Sequence, residues 1–189
     1  MSVFNFLGEN SVEVNYTYIN SIDKIIWKPG NTIYWSPVNV GNSESNVLNI
    51  NLNSHSRFSE FASLSLNINY SRNSSVKKNM DYQGDPTYNK QLIYIPLDLF
   101  KFNADLNYKN FGLGLFSTIL GKRFVDYENL VSLNPDFLLD GNVYAEIPLD
   151  KLTANLKFEI NNITNENYQV ISGYPMPLRN YKFIITLKY

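Results

Sequence analysis

The feature that most constrains this chain is a side-chain alternation of period two that recurs from Ser11 to the last residue. Between Leu152 and Ile160 the even positions are Leu152, Ala154, Leu156, Phe158 and Ile160, and the odd ones are Thr153, Asn155, Lys157 and Glu159. Between Tyr181 and Tyr189 the odd positions carry the apolar set Tyr181, Phe183, Ile185, Leu187 and Tyr189, against Lys182, Ile184, Thr186 and Lys188. Successive side chains of a strand point to opposite faces, so each segment reads as a strand with one apolar and one polar face.

The same pattern recurs upstream. Val12, Val14, Tyr16 and Tyr18 oppose Glu13, Asn15 and Thr17, and Leu48, Ile50 and Leu52 oppose Asn49, Asn51 and Asn53. A longer strand from Phe58 to Asn73 sets Ala62, Leu64, Leu66, Ile68 and Tyr70 against Ser63, Ser65, Asn67, Asn69 and Ser71. Phe100, Phe102, Ala104, Leu106 and Tyr108 come next, then Phe111, Leu113, Leu115 and Ile119, then Phe137, Leu139, Val143, Ala145 and Ile147. Val3–Leu7 reads as the tail of a strand entering from upstream, Ser54–Arg57 as a tight polar turn, and Leu92–Pro96 as the start of a returning strand.

Connections alternate in kind. Those near Glu9, His55, Asn110 and Asp150 are short, while Lys28–Asn42, Ser74–Lys90, Asp126–Asn134 and Thr164–Leu178 are long. Short turns on one rim and long loops on the other are the pattern of an outer-membrane barrel. The expectation is an all-β fold: an antiparallel up-and-down transmembrane β-barrel segment of about eight or nine strands, occupying residues 1–189 as one unit.

Alternation alone also fits a soluble barrel whose apolar face lines a pocket. Lipid outside is favoured because the polar face is Asn, Ser, Thr, Lys, Asp and Glu at nearly every alternate position, as a wet lumen requires. Tyr and Trp also gather near strand ends, where aromatic belts form. Aromatics make up 15% of the chain. No run approaches eighteen apolar residues, which excludes a membrane-crossing helix but not a barrel strand. The net charge of −1 points to no nucleic-acid partner.

Catalytic chemistry finds little purchase. His55 is the single histidine and there is no cysteine, so a transition-metal site would need carboxylates from separate strands. Asp98, Asp105, Asp140, Glu146 and Glu159 are expected on the polar face, where charge is ordinary. No cofactor, no metal and no enzymatic activity are expected. Trp27, Tyr34, Trp35 and Pro37 could contact a ligand from a loop or pack that loop on itself.

Two strings carry a resemblance. The first is "IxWxP" with "YWSPxNVG", including Trp27, Trp35, Pro37, Asn39 and Gly41. The second is Asn162-Ile163-Thr164 with Tyr168, then Gly173-Tyr174-Pro175-Met176-Pro177 and Arg179, ahead of the final strand. Together they resemble the C-terminal barrel of TonB-dependent outer-membrane receptors. Leu178 stands where that family usually has Gly, and Tyr189 where it usually has Phe. The resemblance implies a receptor importing a scarce solute such as a siderophore, cobalamin or a glycan, in a Gram-negative-type outer membrane. It implies outer-membrane lipid, the barrel-assembly machinery and the remainder of the receptor, plug and upstream strands, as partners. TonB would be engaged only through an N-terminal part with no counterpart in these residues, so no plug domain is expected within them and the segment alone is not expected to perform energised uptake. The first residues show no basic stretch, apolar core or small-residue cleavage site of a signal peptide. The rival readings are a self-contained small barrel with a structural or adhesive role and, further off, a small outer-membrane enzyme.

The resemblance further implies that Tyr181, Phe183, Ile185, Leu187 and Tyr189 form an assembly signal read by strand addition. Deleting Tyr189 from the exported receptor should slow assembly and let unfolded precursor accumulate, while protein already assembled stays stable. Pulse-chase with heat-modifiability gels checks this. Normal kinetics with only a lowered melting temperature would reduce Tyr189 to an anchor at the rim.

Overall fold

The computed structural model describes residues 8–29 and 34–189. Val3–Leu7 and the tip of the first long loop, including Gly30 and Asn31, lie outside the described residues. In chain order the strands are β1 (Glu9–Ser21), β2 (Ile25–Pro29), β3 (Trp35–Asn39), β4 (Ser43–Ser59), β5 (Ala62–Lys77), β6 (Asp98–Tyr108) and β7 (Phe111–Leu120). They continue as β8 (Arg123–Phe124), β9 (Ser132–Leu133), β10 (Asp136–Leu149), β11 (Leu152–Asn161), β12 (Gln169–Ile171), β13 (Tyr174–Pro175) and β14 (Asn180–Lys188).

Eight of these strands form one antiparallel sheet in the order β1-β4-β5-β6-β7-β10-β11-β14. Each long strand hydrogen-bonds to the next long one, so the sheet is an up-and-down meander. The six short strands pair as β2–β3, β8–β9 and β12–β13, three ribbons built inside the long connections. Among the described residues β1 and β14 are the two edges and do not pair with each other. The sheet is therefore open, and a barrel closed from these strands alone is not what the chain forms here.

Register preserves side-chain parity across the whole sheet. One apolar row runs Leu64, Leu106, Leu113, Val143, Phe158 and Phe183 over six strands. The next row on the other face runs Glu9, His55, Ser65, Asp105, Gly114, Asn142, Glu159 and Lys182 over all eight. Directly opposed apolar pairs each contribute roughly 0.2–1 kcal/mol relative to Ala pairs, so the matched rows reinforce one register. The apolar face has no protein cover: Leu106, Leu113, Val143, Phe158 and Phe183 are all exposed. Among the described residues the buried apolar side chains are Val40, Leu92, Ile93 and Ala154, three of them in the long connections.

The polar face is bonded to itself. Asn103 Nδ2 donates to Asn67 Oδ1 (3.2 Å), Asn67 Nδ2 to Asn53 Oδ1 (2.5 Å) and Asn53 Nδ2 to Ser11 Oγ (3.2 Å), an amide ladder across four strands. Gly112 lies beneath the Tyr144 ring, whose hydroxyl donates to Asn107 Oδ1; a Cβ at Gly112 would strike that ring. The Gly112-Leu113-Gly114 stretch is thus a notch for a neighbouring aromatic.

Three sequence expectations are corrected. The turn expected at Ser54–Arg57 falls at Glu60–Phe61, and β4 continues through His55, whose Nδ1 lies 2.9 Å from Ser65 Oγ on the polar face. The return expected from Leu92 begins at Asp98; only Gln91 makes an isolated bridge, to Val76. Asp98 sits on the apolar parity with Phe100 and Phe102, not the polar one. It stands at the strand end, where Tyr70 Oη donates to it (2.6 Å) and Arg72 pairs with it (3.2 Å).

Parity generates a charge test. Leu66→Arg, Leu106→Arg and Leu156→Arg should impair assembly, since a mid-bilayer Arg on a lipid face costs about 2–4 kcal/mol. Asn67→Arg and Asn155→Arg, one position along, should be far milder. The readout is folded protein in outer-membrane fractions, and equal damage at both sets would overturn the face assignment.

Candidate functional site at the long-loop rim

The long connections fold into a bonded rim, and the sequence motifs lie within it. Asn162 is the centre of the fourth loop, residues 162–179. It is buried, with φ +54°, the left-handed region that Asn tolerates better than most residues. Its backbone N–H donates to Asp140 Oδ1 (2.6 Å), and its Nδ2 donates to the carbonyls of Glu166 (2.8 Å) and Pro177 (3.4 Å). Its Oδ1 accepts from the Glu166 N–H (2.7 Å) and from Thr164 Oγ1 (3.4 Å). One amide thereby closes both arms of the loop.

The other motif residues complete that closure. The Tyr168 carbonyl accepts from Met176 N–H (3.0 Å), and burial pushes the Tyr168 hydroxyl pKa up. Gly173 has φ +82° and donates its N–H to Gln169 Oε1 (2.7 Å), turning β12 into β13. Tyr174 and Pro175 pair with Ile171 and Gln169. Pro177 contributes its carbonyl, and the Arg179 N–H is held by Asn165 Oδ1 (3.0 Å). The Tyr174 and Arg179 side chains stay exposed.

In the first loop Trp27 pairs with Pro37 and Pro29 with Trp35 in the β2–β3 ribbon. The Trp27, Trp35, Pro37 and Asn39 side chains are exposed, and Ser36 and Val38 on the other parity are half-buried. Asn39 Oδ1 accepts from Gly41 N–H (2.7 Å). Gly41 has φ +73°, and a Cβ there would collide with the Asn79 amide, so glycine is required twice over.

Several hubs escaped the sequence reading. Arg123 is 1% exposed. Its Nη2 pairs with Asp136 Oδ2 (2.6 Å) and donates to the Gln169 carbonyl (2.8 Å), while Nη1 reaches the carbonyls of Leu120 (3.2 Å) and Gly121 (2.9 Å). It ties the third loop to the fourth. Lys77 Nζ contacts Asp81 (2.7 Å), Asp85 (3.1 Å) and Thr87 (2.8 Å), closing the second loop. Gln91 and Asn129 exchange hydrogen bonds between the second and third loops (2.7 and 2.9 Å). Tyr94, at φ +58°, donates its N–H to the Phe124 carbonyl and receives a backbone hydrogen bond from Ser172. Arg123 and Asn129 both stand in the stretch Gly121–Asn129, and nothing in that stretch shows their partners.

The rim residues described above act on one another, through hydrogen bonds and ion pairs. Among the described residues no group of three or more His, Cys, Asp or Glu side chains could hold a metal ion. Tyr181, Phe183, Ile185, Leu187 and Tyr189 share one exposed face of β14 and its end, and the Tyr181 ring stacks on Phe158 at 6.1 Å.

No protein-family model and no curated protein matches the chain by sequence. Solved structures do match its backbone. BauA, the ferric preacinetobactin receptor from Acinetobacter baumannii, superposes with a TM-score of 0.67 at 15% identity, over 94% of this chain and 27% of that one. FyuA, the ferric yersiniabactin uptake receptor from Yersinia pestis, gives 0.57 at 11% identity, over 98% and 27%. The fold is that of part of a TonB-dependent receptor. The chain spans about a quarter of the length of these solved receptors.

Asn162→Ala should lower loop stability by roughly 2 kcal/mol, through lost hydrogen bonds and a left-handed backbone that Ala disfavours. Asn162→Gly should cost less, and Thr164→Val least, as measured by protease cleavage within residues 162–179. A second expectation concerns pH. The Thr87 hydroxyl first, then the backbone N–H groups of Asp81 and Thr87 and the Lys77 ammonium, hold the Asp85 carboxyl well below the usual carboxylate range. A depressed folded value gives stability that is full above the unfolded value of about 3.9 and is lost as pH falls through the folded one. The second loop should therefore resist pepsin at about pH 3.5 in the parent chain, and Asp85→Asn should be cut faster.

Proposed function

We propose that residues 1–189 are the C-terminal portion of the barrel of an outer-membrane TonB-dependent receptor that imports a scarce solute. The carrying observation is the eight-strand register that keeps one apolar face uncovered from edge to edge. In water such a face is a liability, whereas in a bilayer it is the required outer surface. The polar face then belongs to the lumen, the short-turn rim to the periplasm and the long-loop rim to the cell surface.

The solved proteins of like fold are a ferric preacinetobactin receptor and a ferric yersiniabactin uptake receptor, which supports a siderophore as first choice, with cobalamin and glycans behind it. In this reading outer-membrane lipid covers the apolar face and the rest of the receptor pairs with both sheet edges. The plug occupies the lumen, TonB engages the plug side, and the barrel-assembly machinery accepts β14. The motif residues act by holding the rim loops in shape. Among the exposed motif side chains, Trp27, Trp35 and Tyr174 are the aromatic ones that would meet a solute.

Cysteines introduced at Leu130 and Ser172 of the exported receptor should label with a membrane-impermeant maleimide on intact cells, and one at Asn110 should not. Labelling at Asn110 alone would invert the topology. Uptake of labelled ferric siderophores should stop when the proton-motive force is dissipated, and uptake that continues would remove the energised-receptor reading.

A further inference from the structure

At the short-turn rim the Glu60–Phe61 and Lys109–Asn110 turns meet, joined by the hydrogen bond from Lys109 N–H to the Phe61 carbonyl (2.7 Å). Lys109 Nζ lies 5.5 Å from the ring centroids of both Phe61 and Tyr108. Among the described residues it has no carboxylate within ion-pair distance, and neither has Arg57. Both line one depression of about 530 Å³, together with Glu60, Phe61, Ser63 and Asn107. Glu60 likewise has no ion-pair partner among the described residues.

The depression straddles two environments. Ser63, Asn107 and Arg57 belong to the polar parity, while Ala62 and Tyr108 belong to the last apolar row, which continues through Phe111 and Ala145. Beside Phe111 the apolar face carries a groove of about 280 Å³, with Ala145 between Val143, Leu156, Phe158 and Phe183. Two cations and one carboxylate at the edge of an apolar face do not suit a simple anion. They suit a headgroup with a phosphate and an ammonium on one short linker, attached to acyl chains.

We propose that this rim holds a glycerophospholipid with a phosphoethanolamine headgroup. Its phosphate takes Lys109 and Arg57, its ammonium takes Glu60, and an acyl chain lies along Phe111 and Ala145. The aromatic pair beneath Lys109 keeps the ammonium at the headgroup level by cation–π attraction, leaving its donors free for phosphate. The inference rests on the bilayer-facing reading of the apolar face.

The test is native mass spectrometry of the complete receptor that carries this chain, purified in detergent. Phosphatidylethanolamine or phosphatidylglycerol of identical acyl chains is added, with free phosphoethanolamine as a third arm. One phosphatidylethanolamine should be retained in preference to phosphatidylglycerol, and free phosphoethanolamine should not be retained. Lys109→Met should cut that retention about tenfold, the order expected for losing a charge-assisted contact. Glu60→Gln should remove the preference between headgroups while leaving phosphatidylglycerol retention intact, and Lys109→Arg, which keeps the cation, should behave as the parent. Equal retention of the two lipids by the parent, or unchanged retention in Lys109→Met, overturns the site. Retention of neither lipid would instead undo the bilayer-facing reading on which the proposal stands.

Discussion

Side-chain parity is the constraint on which this structure depends. The backbone ladder between neighbouring strands could in principle close at many offsets, but a slip of one residue would carry every side chain of a strand to the opposite face. For β5 that would place Ser63, Asn67 and Asn69 among Leu106, Phe102 and Phe100 of β6, with no apolar pair left intact. The amide ladder from Asn103 to Ser11 penalises the same slip from the polar side, because its donors and acceptors meet only in the observed register. Both faces therefore select one alignment. The single irregularity between β4 and β5, at Arg57 and Ser59, falls beside the turn where it disturbs no other row.

The rim inherits its order from that sheet. Strands held in fixed register deliver their ends at fixed places, and the loops close over those ends through buried polar hubs. Arg123 is the extreme case. Removing a guanidinium from water costs several kcal/mol, which Asp136 and three carbonyls offset only when geometry is good. Breaking Asp136 away would leave an uncompensated buried charge, so third and fourth loops are bound to move together. Gln91 with Asn129, and Tyr94 with Phe124 and Ser172, extend the same coupling to the second loop.

The strands were legible in the sequence because period two is a local property, visible in any stretch of eight or nine residues. Even so, the pattern ends β4 too early, at Ser54–Arg57. Polar residues there occupy both faces near the short rim and imitate a turn, while the real turn at Glu60–Phe61 has neither Gly nor Pro to mark it. Asp98 lies on the face opposite to the one its charge suggests: its neighbours Phe100 and Phe102 fix that face, and its Tyr70 and Arg72 partners are 28 and 26 residues away. Asn162 was visible only as a motif letter. That its side chain closes a loop depends on a left-handed backbone and on carbonyls up to 15 residues off, which no local pattern encodes. Arg123 was harder still, because a Lys-Arg pair after a strand ordinarily signals solvent.

Among the described residues the coupling of the loops is uneven. The second, third and fourth loops are bonded to one another. Among the described residues the β2–β3 ribbon of the first loop is closed at its base by Lys24 with Val40 and Gly41, and the loop is bonded to the second through Asn42 with Lys78 and Asn79. Beyond that base its outer face carries Ile25, Trp27, Trp35 and Pro37 in the open. A segment with few anchoring contacts opens at lower free energy than one tied at many points. Among the described residues the anchoring of the ribbon is thus concentrated at its base, whereas the other three loops are also tied to one another.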